Sequence, residues 1–152
     1  MQNITQWPWR KFTLAWFTTF TLASICHSQF NIWQLQQVNI VMPWSERLSM
    51  TGQDWLGLLP TYGLILLVGL LLAWWFNFCI IHWLNTPTTT QRWFYIFSGG
   101  AAILTIHTAM YPILNVTLIA GAREWGLYLQ VICGMIGGAI YYSDNAIAKK
   151  EM

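Results

Sequence analysis

Residues 64–73 read Leu64-Ile65-Leu66-Leu67-Val68-Gly69-Leu70-Leu71-Leu72-Ala73, at the centre of an uncharged stretch that runs from residue 55 to residue 91. A helix of about 20 apolar residues, at about 1.5 Å per residue, crosses a hydrocarbon core about 30 Å thick. A chain of 152 residues with 56% hydrophobic content has too little other material to cover such a helix in water. The stretch therefore predicts a membrane span.

The composition of the whole chain agrees with a protein that lies in a lipid bilayer. Charged residues make up 8% of the chain, against about a quarter of an ordinary soluble domain. Aromatic residues make up 16%, and 11 of them are tryptophans, which anchor helices at both membrane–water interfaces. The net charge of +2 is small and scattered, which argues against a nucleic-acid partner.

Apolar stretches separated by polar turns predict an all-α integral membrane protein, a single domain with four transmembrane helices in a compact bundle. The predicted spans cover residues 12–30, 60–83, 93–114 and 125–142. A signal peptide is the alternative for the first span, because a basic segment precedes an apolar one there. Ile25 stands where a lipoprotein signal needs a small residue before Cys26, so we expect a retained helix.

A polar outer segment, residues 31–54, is predicted between the first two spans. Pro43 should end any helix that precedes it. The sequence Thr51-Gly52-Gln53-Asp54 has the capping-box pattern, which predicts a helix start near Gly52. Pro60 should kink that helix. The sequence therefore predicts a short, kinked interfacial helix before the second span.

Basic residues flank the predicted spans unevenly. One side carries five, and the other two: Arg10, Lys11, Arg92, Lys149 and Lys150 against Arg47 and Arg123. Cytoplasmic loops carry an excess of Lys and Arg, so both termini are expected in the cytoplasm. Because the sequence has no organellar transit signature, the bacterial inner membrane is the expected location.

Two histidines fall at the same expected depth. His27 lies 16 residues after Lys11, and His107 lies 15 residues after Arg92, so each imidazole should lie roughly 23 Å from the cytoplasmic face. Ionisable groups at membrane depth suggest function, and two such histidines on facing helices can hold a b-type haem. The two histidines therefore allow a haem or quinone electron-transfer module. The alternative is that each histidine forms a hydrogen bond with a neighbouring helix.

Hydroxyl groups lie beside His27 along one face of the first span. Thr21, Ser24 and Ser28 recur at three- and four-residue steps, so they share a polar stripe that should face other helices. Such a stripe favours hydrogen bonds between helices. It is also compatible with a polar path in a small transporter, which would need an oligomer to build a lumen.

The last predicted span carries small residues at regular spacing. The stripe consists of Gly126, Gln130, Gly134 and Gly138, and it contains a GxxxG motif. Small residues let helices approach closely, and an amide can bond across the contact. Ser98, Gly99 and Ala102 on the third span offer a matching face. Packing within the chain, a homo-oligomer and a larger membrane complex all explain this stripe.

Charged residues gather on the predicted outer surface. Arg47, Asp54, Arg123 and Glu124 are candidate ligands for a polar or anionic molecule, or form exposed ion pairs. Such pairs contribute only about 0–1 kcal/mol. The three cysteines make no metal-binding spacing, and we expect them to be small core residues.

The sequence contains no catalytic constellation and no metal-binding motif. We therefore expect a non-enzymatic structural or interaction subunit that packs through glycine-rich helix faces. Its partners would be the lipid bilayer and a second copy or a larger membrane complex. No cofactor is predicted, and haem b is the alternative.

Overall fold

A computed structural model describes residues 9–114 and 124–148 of the chain, with side chains for residues 9–110 and 124–142. Over these residues the protein is all-helical, without a strand. The helices are α1 (Trp9–Gln37), α2 (Trp44–Leu58), α3 (Leu64–Trp83), α4 (Thr88–Leu114) and α5 (Gly126–Ala148), and a π-helical turn (Leu59–Gly63) joins α2 to α3. Arg123, Lys149 and Lys150, which contributed to the predicted orientation, lie outside the described residues.

The first helix is longer than the predicted span, and part of the predicted polar outer segment belongs to it. α1 continues beyond residue 30 to Gln37. It continues because Phe30 and Ile32 are both buried, and the Phe30 ring lies 5.0 Å from that of Trp125 at the start of α5. Asn39, with a positive φ of 62°, then reverses the chain.

The second helix begins at Trp44, so the predicted start near Gly52 is wrong. Pro43 precedes it in an extended conformation with φ −66°, which suits a residue that starts a helix. Thr51 lies inside α2, where its hydroxyl donates to the carbonyl of Arg47 at 2.8 Å. The capping-box pattern is therefore not used, because nothing between Trp44 and Thr51 stops the helix from forming earlier.

The irregularity predicted at Pro60 is a π-helical turn. Proline has no N–H to donate along the helix, and the chain widens there into the turn Leu59–Gly63. The helical path nevertheless continues, so that Trp44–Trp83 forms a single stretch of 40 residues. α2 packs along α1. α2 thus continues into α3 through this turn, and it is longer than the short helix that was predicted before the second span.

Within residues 9–114 and 124–148, two helices are long and apolar enough to cross a membrane. They are Trp44–Trp83 and Thr88–Met110, while the described apolar part of α5, Gly126–Tyr142, is shorter. A connection of four residues, 84–87, joins the first two, and Asn85 turns the chain with φ 48°. α3 and α4 pack against each other as antiparallel neighbours.

The helices pack in a closed order. α5 contacts both α1 and α4, α3 contacts α4, and α1 contacts α2 and α3. α1 and α4 therefore lie diagonally, and they make no extensive contact in the described part of the chain. One buried cluster contains Phe20, Tyr62 and Ile103. A second, nearer the other end of the helices, contains Leu70, Trp74 and Tyr141.

Candidate functional site

Polar and sulfur-containing side chains meet inside the helix packing, around the first buried cluster. They belong to Cys26, Tyr62, His107, Gln130 and Cys133. The Gln130 amide nitrogen donates to the Ala23 carbonyl at 3.0 Å, which links α5 to α1. The sulfur atoms of Cys26 and Cys133 lie 3.8 Å apart across the same two helices. These contacts join α1 and α5 in the interior of the protein.

The structure gives His107 a partner of its own. Its Nε2 lies 3.2 Å from the Tyr62 hydroxyl, and the two ring centroids are 5.7 Å apart. Both side chains are buried, with exposed fractions of 6% for His107 and 0% for Tyr62. Which atom donates depends on the imidazole tautomer. The contact gives each of these two buried polar groups a hydrogen-bond partner. Tyr62 lies against Nε2, a nitrogen through which His107 could bind a haem iron.

His27 also contacts a neighbour on its own helix. Its Nε2 lies 3.1 Å from the Asn31 amide nitrogen. His27 is on α1 and His107 on α4, which are diagonal helices. The space between these helices is filled by buried side chains, among them Phe20 and Ile103. A planar haem held by both histidines would need an open slot between two facing imidazoles, and each imidazole would have to give up its present contact.

The haem hypothesis has a direct spectroscopic test. We expect the reduced-minus-oxidised absorption spectrum of the purified protein, expressed with an adequate haem supply, to be flat. The reason is that Tyr62 and Asn31 already occupy the two imidazoles. Haem bands that disappear in both His27→Ala and His107→Ala would contradict this expectation and restore the electron-transfer function.

The hydroxyl stripe of α1 faces α2. Thr21 accepts a hydrogen bond from the Trp55 indole nitrogen at 3.2 Å, and Ser28 donates to an Asp54 carboxylate oxygen at 2.7 Å. The Ser24 hydroxyl is buried without a partner in the described residues. The Thr21 and Ser28 contacts hold α1 and α2 together.

The glycine stripe of α5 faces α4 in its second half. A Cβ on Gly134 would meet the Gly99 backbone carbonyl, with its carbon at 2.9 Å, and a Cβ on Gly138 would meet the Tyr95 carbonyl, with its carbon at 2.8 Å. The two backbones are therefore in direct contact. Gly126 is buried at the start of α5, and Gln130 bonds to α1. Of the matching face proposed on α4, Gly99 makes this contact, whereas Ser98 and Ala102 lie toward α3.

A second small-residue contact was not found from the sequence. Gly137 faces α1, where a Cβ would overlap the Thr19 hydroxyl and approach the Ala15 carbonyl oxygen to 3.4 Å. Gly137 directly precedes Gly138 and faces a different helix. A search for contiguous small residues on α5, rather than for one stripe, would have indicated two close contacts.

The outer charged residues do not come together in the described residues. Asp54 accepts its hydrogen bond from Ser28, and the Arg47 guanidinium lies over the Trp44 ring, 5.3 Å from its centroid. Glu124 is exposed. No ion pair joins these three residues, and Arg123 lies outside the described residues. The predicted ligand site at this surface therefore stays a prediction.

A groove between α3 and α4 is a further site that the sequence did not reveal. It has a volume of about 360 Å³, and its walls include Gly69, Ala73, Asn77, Ser98, Ala102 and Thr105. Asn77 is only 4% exposed, and its amide nitrogen is buried without a hydrogen-bond partner. Asn77 is the single side-chain amide in the apolar sequence of α3. This isolated polar residue could have indicated the groove from the sequence.

The three cysteines also differ from their predicted role. Only Cys133 is buried, while Cys26 is half-buried and Cys79 is exposed on α3. The pairing of Cys26 with Cys133, on helices far apart in the sequence, had no sequence signal. In the described residues no group of three or more metal-ligating side chains converges.

Comparison with protein families, with curated proteins and with solved structures gave no match to this chain. The function of this chain is therefore inferred from the geometry of the described residues.

Proposed function

We propose that this chain is an integral protein of the bacterial inner membrane, with four spans and both termini in the cytoplasm, that acts without catalysis. Its role is that of an interaction subunit, which pairs with a second copy of itself through the groove between α3 and α4. The observation that carries the proposal is the buried, unpartnered amide of Asn77 in the wall of that groove.

The outward-facing side chains support four spans. α1 and α5 are less apolar overall than α3, yet both present large apolar groups to the outside. These are Leu14, Phe17 and Ile25 on α1, and Tyr128, Ile132 and Ile136 on α5. Polar groups of the same helices, such as Thr19, Ser24 and Gln130, are buried. Apolar residues outside and polar residues inside are the arrangement that a lipid environment favours.

The groove replaces the glycine stripe as the expected interface. Gly134 and Gly138 contact α4 of the same chain, so they are not available to a partner. Small side chains such as Gly69 and Ala73 leave the groove between α3 and α4 open instead. Small residues and amides are the groups that mediate helix association in membranes.

A second copy of the chain is the partner that can supply hydrogen bonds to the Asn77 amide in the groove. An asparagine carries both donor and acceptor groups, so two copies of Asn77 related by a twofold axis can satisfy each other once each side chain, which is 4% exposed, turns out into the groove. A symmetric dimer brings the same residue from both subunits together. A lipid chain would fill the groove but would leave the amide without a partner.

The dimer is tested by the mass of the protein in detergent and in lipid nanodiscs. We expect the wild type to have twice the mass of the 17.6 kDa chain, and Asn77→Leu to shift it to the monomer. Asn77→Leu should keep its thermal stability, because it removes a buried donor that has no partner in the monomer.

Leu64→Ala is the matched control, since Leu64 is exposed on α3 and lies outside the groove. This variant should remain a dimer. A bismaleimide crosslinker provides a second measurement: Cys79 is seven residues after Leu72, a groove residue, and thus on the same helix face. A monomeric wild type, or a dimer that Asn77→Leu leaves intact, would overturn the proposed interface. Association with a different membrane protein would overturn the choice of a second copy.

A further inference from the structure

Two thiols from distant parts of the chain touch inside the helix packing. Cys26 of α1 and Cys133 of α5 are 107 positions apart in the sequence, and their sulfur atoms are 3.8 Å apart. Cys133 is 4% exposed and belongs to the same buried cluster as Tyr62. Neither thiol is needed for the proposed dimer, whose groove lies between α3 and α4.

Close contacts between α1 and α5 hold the two thiols in register. At the level of the thiols, the Gln130 amide donates to the Ala23 carbonyl at 3.0 Å. Farther along the helices, Gly137 lies against Thr19 with no room for a Cβ. α1 and α5 therefore have little freedom to slide, and the sulfur atoms remain neighbours.

We propose that Cys26 and Cys133 form a redox-active dithiol that a lipid-soluble quinone oxidises to a disulfide between α1 and α5. The two S–H bonds break and one S–S bond forms. The two electrons and two protons pass to the quinone, which becomes the quinol. A thiol reductant reverses the step by thiol–disulfide exchange.

The position of the pair favours an oxidant dissolved in the bilayer. Cys26 is half-buried, and the adjacent Ile25 side chain is exposed on the apolar outer surface of α1. An oxidant in the lipid phase thus approaches Cys26 from outside, while Cys133 behind it completes the bond. A charged oxidant in water has no such approach.

Oxidation requires a small movement. A disulfide has an S–S length of about 2.05 Å, whereas the reduced sulfur atoms lie 3.8 Å apart. The two sulfur atoms must approach each other, by rotation of the two side chains or by a small shift of the helices.

The test counts free thiols after treatment with a quinone. The reduced protein is placed in phospholipid vesicles without oxygen and exposed to a short-chain ubiquinone analogue. It is then denatured and labelled with a maleimide polymer. We expect the number of labelled cysteines to fall from the three free thiols of the reduced chain to one, Cys79. One quinol should form per chain.

Two variants serve as controls. Cys26→Ser should keep both of its remaining thiols under the same treatment, and Cys79→Ser should fall from two labels to none. The proposal is overturned if the wild type keeps three labels with the quinone. It is also overturned if Cys26→Ser loses its labels, or if oxidised glutathione in the water phase acts as fast as the quinone.

Discussion

Substitution of Gly134 by leucine should lower the thermal midpoint of the detergent-solubilised protein by roughly 10 °C or more. The Cβ alone would meet the backbone of Gly99, with the carbonyl carbon at 2.9 Å, and the Ile103 side chain at 2.9 Å. Overpacking costs about 1–3 kcal/mol even where side chains can adjust. A backbone cannot move aside as a side chain does, and 1 kcal/mol corresponds to about 2–4 °C for a chain of this size.

The matched comparison uses alanine at two glycines. Gly134→Ala should destabilise the protein, because its single methyl group already collides with Gly99. Gly57→Ala should leave the stability unchanged or raise it by up to about 1 kcal/mol, because no atom lies within 4 Å of a Cβ at Gly57 of α2. Equal thermal midpoints for the two alanine variants would show that α4 and α5 do not meet at Gly134.

The contact between α1 and α5 can be tested by a rescue experiment. Gly137→Ala places a methyl group on the Thr19 hydroxyl, which is fixed by its bond to the Ala15 carbonyl at 2.8 Å. We expect this variant to be strongly destabilised, and Thr19→Ala to restore much of the loss, since the next atoms are 3.3 Å and 3.4 Å away. The coupling energy should be about 1–2 kcal/mol, within the range for residues in direct contact.

Thr18→Ala is the control for this rescue. Thr18 makes the same kind of bond, to the Leu14 carbonyl at 2.8 Å, but on an exposed part of α1. Removing its hydroxyl should not help Gly137→Ala. If Thr18→Ala rescued as well as Thr19→Ala, the effect would come from the properties of α1 alone rather than from the contact with α5. Thermal unfolding of the wild type, the three single variants and the two double variants measures both cycles.

The apolar stretches of the sequence predicted an all-helical protein, and the described residues are helical. The helix over residues 64–73 was predictable because ten consecutive apolar residues permit few other structures. The boundaries were harder to predict. The start of α2 was wrong because Thr51-Gly52-Gln53-Asp54 has a capping pattern that also fits the middle of an exposed helix. α1 runs beyond the predicted end of the first span because Phe30 packs on Trp125, a contact that depends on the tertiary fold.

The candidate site was less predictable than the fold. Regular spacing indicated which residues share one face of a helix, as for Gly134 and Gly138, but it could not indicate which helix that face would meet. The Cys26–Cys133 contact depends on the rotation of two helices about their axes, which the amino-acid order does not encode locally. Asn77 is different, since a lone amide in an apolar helix is visible in the sequence and could have been weighed beside the histidines.

Continuity through the π-helical turn gives the protein a fixed reach. The helix Trp44–Trp83 has 40 residues, or roughly 60 Å at about 1.5 Å per residue, about twice the thickness of a hydrocarbon core. In the proposed orientation, the first turns of α2 and the end of α1 stand beyond the bilayer, while Trp55 lies beside Thr21 within the first predicted span. A molecule bound near Trp44 would be kept at a constant height above the lipid.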